Sequence, residues 1–301
     1  MWFIFTIATT LIWGLAELFY KKGARPDEQY AHLKVCVCVG AVMGLHAVFT
    51  LLTKDIAYDP INLIRYLPVS MCYVLAMALS FFGMRFIEES ISDPIENTSG
   101  AICFLMCVLL MGESFTPLSV TAVVMIAVGV MGVGILDNQG VTDRKKILGS
   151  RMARISFAMP FGYAILDACG TYLDIFYLDI QKSPLVGVTD ATIEEVANTS
   201  YELSFFIVAV ILMVFMKVKG VAFGRLPEQK DKIIAAVLET AGQFTYIFAM
   251  SGNGAIAAPI ISSVCVVSLL LSRIVLKEKL TTRQYILLAM IICGILLLSE
   301  E

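Results

Sequence analysis

Ten stretches of about 20 mostly apolar residues recur along the 301-residue chain and limit its fold more than any other feature. They fall at 2–20, 31–53, 62–84, 90–111, 115–136, 153–178, 200–217, 232–251, 255–276 and 282–299. A bilayer's hydrocarbon core is about 30 Å thick and takes roughly 20 apolar residues per helix. Each stretch therefore reads as one span of an all-α integral membrane protein. Composition agrees, with 58% hydrophobic and 16% charged residues, where a water-soluble domain has about half and a quarter. No basic segment precedes the first stretch and no small-residue cleavage site follows it, so it reads as a span, not a cleaved leader.

Basic residues give the orientation. With ten spans, the side that holds both termini carries Lys54, Arg65 and Lys182, and the opposite side carries the rest of the 22. Basic loops stay in the cytoplasm, which places both termini outside, in a plasma (inner) membrane. All eight cysteines fall within spans, at 36, 38, 72, 103, 107, 169, 265 and 293, and read as small packing residues. With only two histidines and no ligand spacing, no metal, cofactor or disulfide framework is implied. HExxH, GxSxG and a Ser/His/Asp set at convincing spacing are all missing, so the chain does not read as an enzyme.

The chain resembles itself. "DPIENTSGAICFLMCVLLMGESFTPLSVTAVVMIAVG" lies over "APIISSVCVVSLLLSRIVLKEKLTTRQYILLAMIICG" at a shift of 165, pairing Pro94 with Pro259, Glu113 with Glu278 and Gly129 with Gly294. "WGLAEL" lies over "FGYAIL" at a shift of 148. Two domains follow, 1–137 and 150–301, with five spans each. Because five is odd, the second enters the membrane from the opposite face. Such inverted repeats are characteristic of secondary transporters, whose site lies near the midplane between the halves.

These residues also carry a family resemblance. "LIWGLAELFYKKG" resembles the opening of an EamA-type repeat, and "P…GESFT…G" with "P…KEKLT…G" resembles its closing helices. The chain is similar to the ten-helix branch of the drug/metabolite transporter superfamily. That resemblance implies a basket of helices around a central cavity, moving small metabolites such as amino acids, amines or drugs.

Carboxylates in the spans point to the site. One at the bilayer centre costs at least about 2.5–3.5 kcal/mol, so it normally faces a cavity or a partner. Glu89, Asp93, Glu96, Asn97 and Gly100 recur at helical spacing, as do Tyr163, Asp167, Gly170, Thr171 and Asp174, and as do Glu239, Gly242, Gln243 and Tyr246. The repeat supplies a control: Asp93 lies over Ala258, Glu96 over Ile261, Glu17 over Ile165, Asp167 over Phe19 and Glu239 over Val74. The scaffold needs no acids there. Asp93, Glu96 and Glu239 are expected to bind substrate or carry protons, with Asp167 in support. Asn97, Gln243 and Tyr246 would orient cargo. Glu17, one turn from Lys21, reads equally as an ion-pair partner. Asp174 reads equally as a boundary residue, and His46 as a core residue. Glu113 and Glu278 read as helix-end residues, and Glu88 and Glu89 as a solvated end near Arg85.

No Lys or Arg falls deep in a span, which argues against phosphorylated cargo. The expectation is a proton-coupled secondary transporter of a small cationic or zwitterionic metabolite, working by alternating access. Its partners are that solute, protons and lipid, not nucleic acid. A tandem repeat suits a monomer or a homodimer. The rival reading is a non-transporting scaffold or sensor subunit, against which the lack of any sizeable soluble domain counts.

Overall fold

In the computed structural model of the protein, residues 1–23, 28, 30–54, 56–83, 89–137, 151–267, 270–271 and 281–299 are described. Regular structure among them is helical throughout. In lipid a backbone N–H or C=O finds no water, and a helix satisfies both within one segment. The helices are α1 (Trp2–Gly23), α2 (Ala31–Thr53), the short α3 (Ile61–Arg65), α4 (Leu67–Gly83), α5 (Glu89–Glu96), α6 (Ser99–Met106), α7 (Pro117–Asp137), α8 (Arg151–Leu178), α9 (Ile193–Val218), α10 (Lys230–Ile261) and α11 (Thr282–Leu298). Among the described residues, five stretches are long and apolar enough to cross a bilayer: Trp2–Tyr20, Ala31–Thr53, Ser92–Met111, Ile193–Val218 and Leu226–Ile261. Leu67–Gly83, Pro117–Val133 and Thr282–Leu298 are shorter apolar helices. The chain is an integral membrane protein.

Four antiparallel pairs build the body. Along α1 and α10, Trp2 meets Gly252, Trp13 meets Gly242 and Gly23 meets Lys232. Along α4 and α8, Tyr66 bonds Asp174, Tyr73 meets Gly170 and Leu79 meets Gly162. Along α2 and α9, Gly40 meets Phe205 and His46 bonds Glu202. Along α7 and α11, Gly294 meets Ile126 and Gly132 meets Leu287. Two close approaches depend on glycine. A Cβ on Gly242 would lie 2.3 Å from the Trp13 ring, and one on Gly40 would lie 2.3 Å from the Phe205 carbonyl oxygen.

Two helices are interrupted. The polar stripe from Asp93 to Gly100 does not lie on one continuous helix, because turn residues Asn97 and Thr98 separate α5 from α6. Pro94 lies inside α5 and removes one backbone donor. Asn97 Nδ2 donates to the Asp93 carbonyl (2.8 Å) and Thr98 Oγ1 to that of Ile95 (2.7 Å), adding side-chain bonds to carbonyls that the backbone N–H groups of the same two residues already reach. In α10, Pro259 also lies within the helix, which stops at Ile261 before turn residues Ser262 and Ser263. Helical dihedrals fail earlier at Asn253 (φ −160°, ψ 68°), between the two spans expected at 232–251 and 255–276. The Gly100 N–H donates to Ser262 Oγ at 2.9 Å, joining one break to the other.

Arg85, Glu88, Glu278 and several of the counted basic residues lie outside the described residues, as do the side chains of Lys21 and Glu89.

Candidate functional site

Between α1, α4, α5, α6, α8 and α10 lies a cavity of about 190 Å³. One water needs about 10–15 Å³ of such space, so it has room for on the order of a dozen waters. Glu17, Asp93, Glu96, Asn97, Asp167, Glu239, Gln243 and Tyr246 all line it. Residues from α1, α5, α8 and α10, far apart in sequence, meet here because the antiparallel pairs bring their polar stripes to one centre. The wall also carries Trp13, Tyr20, Tyr73, Tyr163, Tyr201 and Phe81. Among the described residues that line it there is no Lys, Arg or His.

Two of the acids accept from neutral hydroxyls. Ser80 Oγ donates to Glu96 Oε2 at 2.8 Å, and Tyr20 OH donates to Glu239 Oε2 at 3.2 Å. Trp13 Nε1 donates to the backbone carbonyl of Glu239 at 3.3 Å, which fixes the α1–α10 contact beside the acid. Gln243 is 2% exposed, and its Nε2 is buried with no hydrogen-bond partner. A donor left unmade costs about 1–3 kcal/mol, so this one suits an acceptor brought by a solute. Tyr246 differs from expectation. Its hydroxyl already bonds Tyr73 OH (2.7 Å) and Thr171 Oγ1 (3.1 Å), so it presents to the cavity a ring packed against Trp13 at 5.2 Å between centroids. Asn97 likewise spends its amide donor on the broken helix. Five carboxyl groups around so small a space repel one another when charged. Protons or a positively charged group in the cavity would relieve that repulsion.

Other ionisable groups were misread or missed. Asp174 is no boundary residue. It is fully buried behind the cavity wall, accepting from Tyr66 OH and from Tyr73 OH (2.9 Å). Glu202 is also fully buried, between His46 Nδ1 (2.8 Å) and Asn198 Nδ2 (3.0 Å). His46 is thus an ionisable partner and not simply core. Its stripe was legible, since Asn198 and Glu202 stand four apart on one helix face. The reading of that span as starting near 200 hid it, because α9 begins at Ile193. Asn198, which opens the N-glycosylation pattern Asn-Thr-Ser, accordingly lies within a helix, 4% exposed. Two lysines are buried after all: Lys34 in the first turn of α2 (6% exposed) and Lys232 in that of α10 (1%). Both donate to Glu28 at 2.7 Å.

Comparison with known proteins agrees with this architecture. Residues 198–300 match the EamA-like transporter family, part of the drug/metabolite transporter superfamily. A solved structure titled only "Crystal structure of protein" is similar over 98% of this chain and 95% of its own, with a TM-score of 0.72 and 11% identity. At that identity the likeness shows the shared fold alone. No curated protein sequence matches the chain.

Proposed function

We propose that the protein is a secondary active transporter of a small cationic or zwitterionic metabolite, built from two inverted five-helix repeats, 1–137 and 150–301, with ten spans. The pairing of helices supports the repeat. If α1, α2, α4, α5–α6 and α7 answer to α8, α9, the first part of α10, its last part and α11, then the α1–α10 pair exchanges with α4–α8. The α2–α9 and α7–α11 pairs exchange with themselves. The breaks agree too: Asn97 and Thr98 lie over Ser262 and Ser263 at the shift of 165 that pairs the two prolines. Discontinuous helices crossing near the midplane are where such transporters hold their solute.

The observation that carries the function is the convergence of five carboxylates and an unpartnered Gln243 amide on one aromatic-walled cavity. In this reading Glu96, Asp93 and Glu239 exchange protons for the cationic group of the solute, with Asp167 and Glu17 in support. Trp13, Tyr163 and Tyr246 present ring faces to the solute, on which a cationic group gains cation–π attraction of about 0.5–2 kcal/mol. Gln243 donates to an acceptor elsewhere on it. The basic-residue asymmetry supports cytoplasmic loops opposite the termini.

The test is flux in proteoliposomes carrying an imposed pH gradient, across a panel of small amines and amino acids. Glu96→Gln is expected to reduce pH-driven uptake or exchange by more than tenfold while the melting temperature stays within a degree or two. Undiminished flux in Glu96→Gln removes this acid from the site. If the wild-type protein moves none of the panel and is not stabilised by any of it, the scaffold or sensor reading stands instead.

A further inference from the structure

The cavity has a carboxylate clamp beyond each end, and the two clamps are built differently. At the end where α1 begins, Asp174 of α8 accepts from Tyr66, which precedes α4, and from Tyr73 within α4. Tyr73 OH continues to Tyr246 of α10 and, at 3.1 Å, to Thr171 of α8. Tyr73, Thr171 and Tyr246 belong to the cavity wall, whereas Asp174 and Tyr66 lie behind it. One buried carboxylate therefore fastens α4, α8 and α10 over the cavity's end. That this is the end where α1 begins follows from its neighbours. Trp2 packs on Gly252, Ser251 Oγ bonds Glu194, Lys54 bonds Glu195, and Asn62 just before Tyr66 bonds the backbone at Val186.

At the opposite end Glu28, between α1 and α2, takes Lys34 on one oxygen and Lys232 on the other. Gly23, the last residue of α1, lies against Lys232. This carboxylate fastens α1, α2 and α10. Both lysines stand in the first turn of a helix, the positive end of its dipole, where a cation is disfavoured. Lys232 is also almost wholly out of water, which a lone ammonium resists. Burial alone would push the Glu28 carboxyl up, but hydrogen bonds and charge from Lys232 and Lys34 outweigh it and hold it below the usual range. Two misplaced cations thus depend on a single acid, so its departure frees two helix ends together.

The proposed repeat relates the two clamps. The shift of 165 lays Tyr66 over Asp231, one residue from Lys232, and the shift of 148 lays Asp174 over position 26, two residues from Glu28. Each clamp spans the α4–α8 pair or its counterpart α1–α10, at opposite ends. A buried polar clamp adds less net stability than apolar packing of equal size, and its best-attested use is to fix one of two arrangements.

We propose that the two clamps are the alternating gates of the transport cycle, Asp174 with its tyrosines closing one end and Glu28 with its lysines the other, so that releasing either favours closure of the opposite one. The proposal rests on the transporter reading, but its test needs no solute. Cys103 is fully buried within electrostatic reach of Asp174, and Cys38 is 4% exposed within reach of Lys232 and Glu28; both are free thiols. Peptide-resolved alkylation by iodoacetamide of the full chain in detergent reads both at once. Tyr66→Phe and Lys232→Met keep side-chain volume. Tyr66→Phe is expected to speed alkylation of Cys103 several-fold and slow that of Cys38, and Lys232→Met to do the reverse. Faster labelling only at the altered end, or at both ends together, would make the clamps local fasteners and overturn the proposal. Should Lys232→Met not fold, Glu28→Gln reads the same gate. Reciprocal labelling without flux would leave the gates standing and count against the solute assignment, not against them.

Discussion

Two sets of carboxyl groups lie within this membrane protein, and their surroundings differ. Glu17, Asp93, Glu96, Asp167 and Glu239 border an open space, and neutral hydroxyls donate to Glu96 and Glu239. Glu202, Asp174 and Glu28 are not among the residues that line that space, and each is gripped by at least two donors from other side chains. Both sets avoid the cost of a bare charge in lipid, by different means. The second set does so permanently, with groups that belong to the fold. Under the proposed function the first set also meets protons or a cationic solute that enters the cavity. Burial therefore does not distinguish a site from a fastener, but the company each acid keeps does.

The contrast can be broken by exchanging one member of each set. Glu202→Ala is expected to cost about 3–5 kcal/mol, the usual loss when one partner of a buried pair is removed. Unfolding monitored in detergent or bicelles checks this, with Glu96→Gln as the member of the other set. Equal losses at both would erase the distinction. A smaller effect sharpens the geometry of the site. Gly242→Ala drives a methyl into the Trp13 ring and should cost about 1–3 kcal/mol by overpacking. Its tryptophan fluorescence should shift as the α1–α10 contact opens, and an unchanged spectrum would show that contact to be looser than described. The smallest effect concerns Glu28. Its carboxyl lies below the ordinary range when folded, so its contribution is complete above the unfolded value and is lost as pH falls through the folded one. The wild type should therefore lose more melting temperature below pH 4 than Glu28→Gln does, and parallel curves would remove Glu28 from the clamp.

Much of this was legible in the chain. The apolar stretches announce a membrane protein, and residues such as Asp93, Asp167 and Glu239 stand out because acids at helical spacing have no business in lipid without company. The eight residues singled out meet at one cavity because helical periodicity fixes which side chains share a face. Asp174 and Glu202 were harder. A single acid in a span looks the same whether it ends the helix, faces a pathway or bonds Tyr66 across 108 residues of sequence. Lys34 and Lys232 look like loop-side cations until Glu28 is seen between them. The division of α5 from α6 was foreshadowed by Pro94, but the resort to Asn97 as its own helix's cap was not, since that depends on where the backbone turned.

The sequence by itself determined that this chain lives in a bilayer, that its second half carries an EamA-like transporter pattern, and which polar faces its helices present, because these follow from local composition and periodicity. Only the tertiary structure decided which acids line the shared space and which are spent on fastening helices. That choice rests mostly on contacts between helices far apart in the chain, such as Tyr20 with Glu239 across 219 positions, and no local periodicity encodes which helix will lie beside which.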